Sequence, residues 1–465
     1  MSASFTHDEI LTATGATAAV GGPRAFAGVT TDSRAVKPGE LFVALRGEKF
    51  DGHAFLAGCA SSGAAGAVVQ IGHPRASTPP GFALYEVPDT LRALGGLARF
   101  HRLRFAIPVC AVGGSNGKTT TKEMCAAILA TAGPALATQG NFNNEIGVPL
   151  TLFRLGPEHV AAVIELGMNH PGEVERLTEI ARPQAGVVTV VQPEHLEGLG
   201  SLENVAHAEG ELYRGLPQDG VAVANADDAL AFAEARASGR RLLTFGLAEK
   251  ADVRLLGIDR HDASGIAFRL GFGGETLRAT IPHVGEHNAK NACAAFALAS
   301  ALGYSAEACL RGLAQSAAAS RRLNVKLLPS GATLLDDCYN ANPGSMAAAL
   351  QTAASLGAKG RAVGVLGDML ELGPEESAAH TELGVQAAAV LGLLVFFGPR
   401  SKLGAEAARK AGAREVFHTE SPEEAVALLQ SKLRAGDVVL VKGSRGMRME
   451  RIVAGLTGEA APDAH

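Results

Sequence analysis

One passage constrains this chain more than any other. The apolar run FAIPVCAV (105–112) leads directly into Gly113-Gly114-Ser115-Asn116-Gly117-Lys118-Thr119-Thr120, and that leads into TKEMCAAILATA (121–132). The first run is long enough for a buried strand. In the last, Met124 and Ile128 stand four apart on one helical face. Strand, glycine turn and helix in this order make a parallel α/β unit whose turn and helix N-terminus gather backbone N–H groups around an anion. Lys118 can then reach β- and γ-phosphates, and the Thr119 hydroxyl can hold Mg²⁺, so the implied ligand is a nucleoside triphosphate. The longer pattern G-x-x-x-x-G-K-[ST] needs glycine where this chain has Val112, so only the short form from Gly114 to Thr119 is present. A plain glycine turn before a helix with a solvated lysine is the alternative; the flanking strand and helix favour the phosphate loop.

The same rhythm of short β-branched runs between Ala/Leu-rich stretches extends over all 465 residues and predicts an α/β fold with mainly parallel sheets. At roughly 100–200 residues per domain, three domains are expected. Residues 1–104 carry candidate strands at 41–45 and 65–71 and helical segments at 54–62 and 89–101, enough for one small α/β domain. Residues 105–316 add AAVIEL (161–166), GVVTVV (186–191) and GVAVAN (220–225), closed by a helix over 286–303, as a central P-loop-type domain. Residues 317–465, with strands at 332–337, 362–367, 392–398 and 437–443, form a Rossmann-like third domain.

Charge narrows the partners. Lys and Arg number 42 against 47 Asp and Glu, a formal net charge of -5 with no basic block, which argues against nucleic acid. The six cysteines are scattered, without C-x-x-C pairs or zinc-type spacing, as in a reducing compartment. The N-terminal MSASFTHDEILTATG lacks a signal pattern, and AAAVLGLLVFF (387–397) is too short for a bilayer core of roughly 30 Å. A cytoplasmic protein without membrane insertion is expected.

Metal-assisted phosphate chemistry needs ligands at the C-terminal ends of neighbouring parallel strands. Glu165 ends AAVIEL, and His195 follows GVVTVV in VQPEHLEG. Alone, each reads more readily as a solvated loop residue; their shared address with Lys118 makes them candidates.

Together, the GSNGKTT loop, ELGMNHPGE (165–173), the His195 loop and GEHNAKNACAA (285–295) resemble the Mur ligase family of peptidoglycan synthesis, over nearly the whole chain. Four further runs resemble the branch that adds D-alanyl-D-alanine to UDP-N-acetylmuramoyl-tripeptide: QGNFNNEIGVPLTL (139–152), DDCYNANPGSMAAAL (336–350), VLGDMLELGPEESAAH (365–380) and VKGSRGMRMERIV (441–453). The resemblance implies ATP-dependent amide formation through an acyl phosphate, with Mg²⁺, by a monomer. Residues 1–104 would bind the UDP substrate, 105–316 would bind ATP, and 317–465 would bind the dipeptide and complete the ATP site.

It also implies residue roles. Thr31, Asp32, Ser33 and Arg34 would face the UDP moiety, with Asn141, Asn143 and Asn144 on the same substrate. Gly114, Ser115, Asn116, Gly117, Lys118, Thr119 and Thr120 would surround the ATP phosphates, and Asn288 and Asn291 would meet the adenine, although both Asn residues also suit a helix start. Arg322 would reach the phosphates, preceded by Arg321 where the family usually has Gly; Asp337 would take the ribose. Asn340 and Asn342 would frame the dipeptide site, with Lys442, Ser444 and Arg445 in a second polar loop nearby. Thr119 and Glu165 would hold one Mg²⁺ and His195 a second. Many family members carry a carbamylated lysine where this chain has Glu209, which is expected to supply a metal-binding carboxylate directly. A sister ligase with another amine substrate, or a nucleotide-binding regulator without catalysis, are the alternative readings.

Overall fold

The computed structural model describes residues 3–18, 25–47, 50–73, 79–194 and 196–459. Among these, three mainly parallel sheets follow one another along the chain, beside a two-stranded pairing of Phe5–Thr6 with Ala25–Phe26. The first large sheet has five strands, ordered Thr17–Ala18, Ala83–Val87, Gly66–Gln70, Leu41–Val43, Val29–Thr30, with only the first antiparallel to its neighbour.

The central sheet has nine strands, and Val109–Gly113 lies inside it between Ala161–Glu165 and Ala185–Val188. All three are buried along their length, which is why they read as unbroken apolar runs. The chain leaves Val109–Gly113, builds Ala135–Ala137 and Ala161–Glu165 on one side, then crosses to Ala185–Val188 on the other. Strand order therefore reverses at Val109–Gly113, and a crevice opens outside its carboxyl end. This strand starts at Val109 rather than 105, because Pro108 has no N–H to give the ladder.

One part of the central sheet departs from the parallel expectation. Val253–Asp262, Gly265–Phe272 and Glu275–Ile281 form an antiparallel meander at its edge. A two-residue Gly273-Gly274 turn, with φ 60° and 84°, joins the last two. The third sheet orders Asn324–Leu327, Thr333–Asp337, Val438–Lys442, Ala362–Gly367, Leu393–Phe397 and Val416–Thr419, with only the first strand antiparallel.

Apolar cores sit on both faces of the central sheet. One is continuous with the first unit, running from Phe5 and Leu94 through Val109 and Leu152, so the helix Thr90–Arg102 packs on the helices Gly147–Leu152 and Glu173–Ala181. The other face packs under the helices Lys118–Leu129 and His287–Ala301.

His283, 4% exposed, ties the loop before His287–Ala301 to the end of the helix Ala306–Gln315. Its Nε2 lies 3.0 Å from Ser316 Oγ, which donates to the Leu313 carbonyl and so accepts from His283. Burial pushes the imidazole pKa down to about 4. The unfolded chain, whose His titrates near the usual ~6.5, takes up this proton first as pH falls. Stability is therefore lost between about pH 6.5 and 4, by about 3 kcal/mol at the low end. Thermal melts of the wild type and His283→Gln from pH 7 to 4.5 check this. The wild type should lose Tm faster on acidification, and parallel slopes would refute it.

Candidate active site at the glycine loop

The turn after Val109–Gly113 is pinned on one side by the segment following Ala185–Val188. Ser115 N donates to the Val190 carbonyl (2.7 Å) and Ser115 Oγ to the Gln192 carbonyl (3.0 Å). Thr189 Oγ1 donates to the carbonyl of Asn116 (2.6 Å). Gly114 and Gly117 have φ 112° and 84°, conformations closed to most residues. Space excludes side chains as well. A Cβ on Gly114 would collide with Thr189, one on Gly117 would lie 2.6 Å from Asn291 Oδ1, and one on Gly113 2.7 Å from Glu209 Oε2. The helix Lys118–Leu129 begins directly from Gly117, so its free N–H groups open at the loop.

Lys118 folds back on this loop, donating to the Gly114 carbonyl and reaching Glu194 Oε1 at 3.3 Å. Burial alone would lower its pKa, but Glu194, Glu209 and Glu165 outweigh that and hold it above the ordinary lysine value. The loop faces a cleft of about 460 Å³ whose far wall, Arg322, Asp337 and Asn340, belongs to the third sheet's unit. Thr119 and Glu165 both line it. Glu165 Oε1 accepts from Asn143 Nδ2 (2.9 Å), whereas Oε2 is buried with no hydrogen-bond partner. An orphaned carboxylate oxygen on the same cleft wall as Thr119, in a locus with more carboxylates than cations, suits a hard divalent cation such as Mg²⁺.

A second cavity of about 190 Å³ continues from the first, sharing Asn116, Gly117, Arg322, Asp337 and Lys442. Thr120, Asn288 and Asn291 line it, with Phe245, Leu323 and Ala349 as apolar wall. Asn288 Nδ2 caps the Val284 carbonyl (2.7 Å) while its Oδ1 accepts from Asn291 Nδ2 (2.9 Å). Asp337 accepts from Lys442 Nζ (2.6 Å) and Leu323 N (3.2 Å). Arg322 stacks over the Tyr339 ring at 4.4 Å and lines both cavities, whereas Arg321 pairs with Glu450 at 3.7 Å. Arg321 nonetheless adopts φ 60°, the conformation that glycine would favour there.

Asn116 and Asn342 join the two halves of the cleft. Each side-chain amide donates to the other's oxygen at 3.1 Å, a reciprocal pair between the glycine loop and the start of the helix Pro343–Leu356. Asn342 Oδ1 also caps that helix through Ser345 N (2.8 Å). Asn340, also on the cleft wall, accepts from Arg445 N through Oδ1 (3.3 Å).

Other expected residues stand elsewhere. His195 lies outside the described residues. Glu209 is 1% exposed behind the loop, is not on the cleft wall, and accepts from Gly114 N at 2.7 Å. Burial raises its pKa to about 7, against the pull of Lys118. It sits beneath Gly113, where the missing Cβ leaves room for its carboxylate. Thr31, Asp32, Ser33 and Arg34 are not on the cleft wall; they follow Val29–Thr30, with Asp32 held by both the backbone and the guanidinium of Arg34. That pairing lowers the Asp32 pKa to about 2. Asn141, Asn143 and Asn144 do reach the cleft, where Asn143 orients Glu165 and Asn144 accepts from Gly147 N (2.8 Å). Glu194 and Phe245 were missed as site residues. Glu194 stands in the same strand-end loop as His195, a signal available in the sequence; Phe245 lies near the end of the strand Arg241–Gly246, whose packing against the helix His287–Ala301 the sequence does not state.

A parallel sheet reversing at a glycine loop, with a partly buried lysine and a carboxylate that keeps one oxygen unpartnered facing a third α/β unit, defines a phosphate-loop nucleotide-binding protein of several domains. Three family models match in succession: Mur ligase family, catalytic domain, at 25–102; Mur ligase middle domain at 112–299; and Mur ligase, glutamate ligase domain, at 321–445. The chain is 40% identical over 434 residues to UDP-N-acetylmuramoyl-tripeptide--D-alanyl-D-alanine ligase of Escherichia coli (strain K12), covering 92% of this chain and 93% of that one. A crystal structure of MurF from Acinetobacter baumannii superposes with TM-score 0.89 at 33% identity, covering 98% of this chain and 100% of the other. MurF ligase from Thermotoga maritima in complex with ADP gives TM-score 0.81 at 25% identity, covering 93% and 97%. This chain belongs to the Mur ligase family.

The amide pair generates a prediction. Asn342→Ser keeps a helix cap but cannot form the reciprocal pair, whereas Asn342→Ala loses both, the cap costing about 1 kcal/mol. Both variants should show a larger radius of gyration by small-angle scattering, and only the alanine variant a clearly lower Tm. An unchanged radius in both would show that the pair does not hold the units together.

Proposed function

We propose that this chain is an ATP-dependent ligase that joins D-alanyl-D-alanine to UDP-N-acetylmuramoyl-tripeptide in the cytoplasm, making a peptidoglycan precursor. The observation that carries the reading is the single crevice in which Lys118, Thr119 and the unpartnered Glu165 Oε2 face Arg322 and Asp337 of the third unit. The names of the similar proteins described above support the choice of substrates, and the ADP complex of one of them supports ATP.

In this reading residues 105–316 bind the triphosphate, 1–104 the UDP moiety and 317–465 the amine. The loop N–H groups and the start of the helix Lys118–Leu129 cradle the phosphates. Lys118 exchanges the Gly114 carbonyl for the γ-phosphate, a stronger partner for a buried ammonium. Thr119 and Glu165 would hold Mg²⁺, which neutralises developing phosphate charge. Arg322 approaches the phosphates from the opposite wall. Adenine fits the smaller cavity against Phe245, with Asn288 and Asn291 at its polar edge. The tripeptide carboxylate attacks the γ-phosphate to give an acyl phosphate and ADP. The dipeptide amine then adds to that carbonyl and phosphate leaves. Positioning and charge neutralisation are most of what such transfer requires from the protein.

The test is ADP and phosphate release with Mg²⁺-ATP, omitting the nucleotide-linked peptide and the dipeptide in turn. Release should require both, and Lys118→Ala should lower it by about 10²–10³-fold. Glu165→Ala should raise the Mg²⁺ concentration needed for half-maximal rate. Release that ignores the dipeptide would overturn the reading in favour of a different amine substrate.

A further inference from the structure

Arg322 lines both cavities of the site from a backbone segment that is unusual on either side of it. Arg321 has φ 60° and Leu323 φ 53°, so two of the five described non-glycine residues with positive φ flank this one arginine. An L side chain in that region crowds its own backbone, and such residues persist only where their neighbours hold them. For Leu323 the hold is burial: its side chain is 7% exposed in the core of the third unit, and its N donates to Asp337 Oδ1 at 3.2 Å. Arg321 is only half-buried, lines neither cavity, and meets Glu450 Oε1 at 3.7 Å. Resting on the nucleotide reading of the cleft, we propose that Arg321 is a positioning residue, whose ion pair with Glu450 holds the segment that presents Arg322 to the nucleotide phosphates.

Glu450 is built as an anchor. It is the first residue of the helix Glu450–Thr457, where the helix dipole favours a carboxylate, and it is 6% exposed. Its Oε1 also accepts from Arg445 Nη1 at 2.7 Å, while Oε2 is buried without a hydrogen-bond partner. A carboxylate so placed depends on nearby cations, and among the described residues Arg321 and Arg445 are the two that pair with it.

The hold reaches Arg322 through the backbone. Arg321 N donates to Asn324 Oδ1, and the Arg321 carbonyl accepts from Tyr339 N at 3.2 Å. The Tyr339 ring in turn carries the Arg322 guanidinium at 4.4 Å from its centroid. Arg321 therefore fixes both the peptide link into Arg322 and the residue on whose ring Arg322 rests. Without the pair to Glu450, an L side chain at 321 pulls the segment toward negative φ and Arg322 away from the phosphates. Apparent nucleotide affinity then falls with the fraction of molecules that keep the competent wall. Glycine at this position adopts φ 60° unaided, so it has no need of the ion pair.

The test is calorimetric titration of the full-length protein with the β,γ-imido analogue of ATP and Mg²⁺. Arg321→Ala, which keeps a Cβ and loses the ion pair, should raise Kd by about three- to tenfold, whereas Arg321→Gly should stay within about twofold of wild type. In an Arg322→Ala background, Arg321→Ala should add less than about twofold, because its effect passes through Arg322. Glu450→Gln should reproduce the Arg321→Ala loss and add nothing in the Arg321→Gly background. Wild-type affinity in Arg321→Ala, or a loss in Arg321→Gly as large as in Arg321→Ala, would overturn the inference. So would an Arg321→Ala loss of the same size with and without Arg322, since a purely structural role gives that result. Where Arg321→Ala does not fold, the Glu450→Gln comparisons decide, and wild-type affinity in Glu450→Gln overturns the inference. If the wild type does not bind the analogue at all, the nucleotide reading falls and this inference with it.

Discussion

Everything in this site depends on the missing side chains of the glycine loop. Three separate stretches of chain press on Gly113, Gly114 and Gly117 at distances that leave no room for a Cβ: Glu209 from beneath, Thr189 from just past the neighbouring strand, Asn291 from the closing helix. The loop is thus a meeting point for segments up to 178 residues apart in the chain, from Gly113 to Asn291. Backbone N–H groups remain free to face an anion only because side chains from other segments fix the turn from outside.

Charge is arranged around the same point. Lys118 is held among Glu165, Glu194 and Glu209, which keep it protonated despite burial. Of these, Glu209 is committed to the backbone of Gly114, Glu194 pairs with the lysine, and Glu165 keeps one oxygen without a partner. Three carboxylates around one lysine therefore have three distinct environments, and of the three only Glu165 has a fully buried oxygen without a hydrogen-bond partner. The third unit is coupled to this locus by the Asn116–Asn342 amide pair, so the glycine loop also touches the helix that opens the opposite wall. Asp337 and Lys442, adjacent in register on neighbouring parallel strands, complete that wall as an ion pair.

The legible part of the molecule was the part carried by short-range pattern. Buried parallel strands such as Ala161–Glu165 and Ala362–Gly367 appear as continuous apolar runs, and the turn glycines before Lys118 announce the loop. The antiparallel meander over 253–281 was not read, although Gly273-Gly274 between alternating segments is a hairpin signal; its half-exposed strands lack the apolar run of the others. Glu209 shows a different limit. It stands on the helix Leu202–Gly215, and whether its carboxylate meets the cleft or the underside of the loop depends on how deeply that helix seats under Gly113.

By itself, the sequence determined the succession of buried parallel strands, the phosphate loop and the candidate carboxylates, because these follow from local spacing and from backbone preferences of glycine and proline. Tertiary structure alone decided that Arg322 rather than Arg321 faces the crevice, that Asn116 pairs with Asn342, and that one buried oxygen of Glu165 has no partner while Glu209 is bound to Gly114 N. The physical reason is that a buried polar group takes its role from the partners that packing brings within about 3 Å, and those partners come from remote segments that no local pattern encodes.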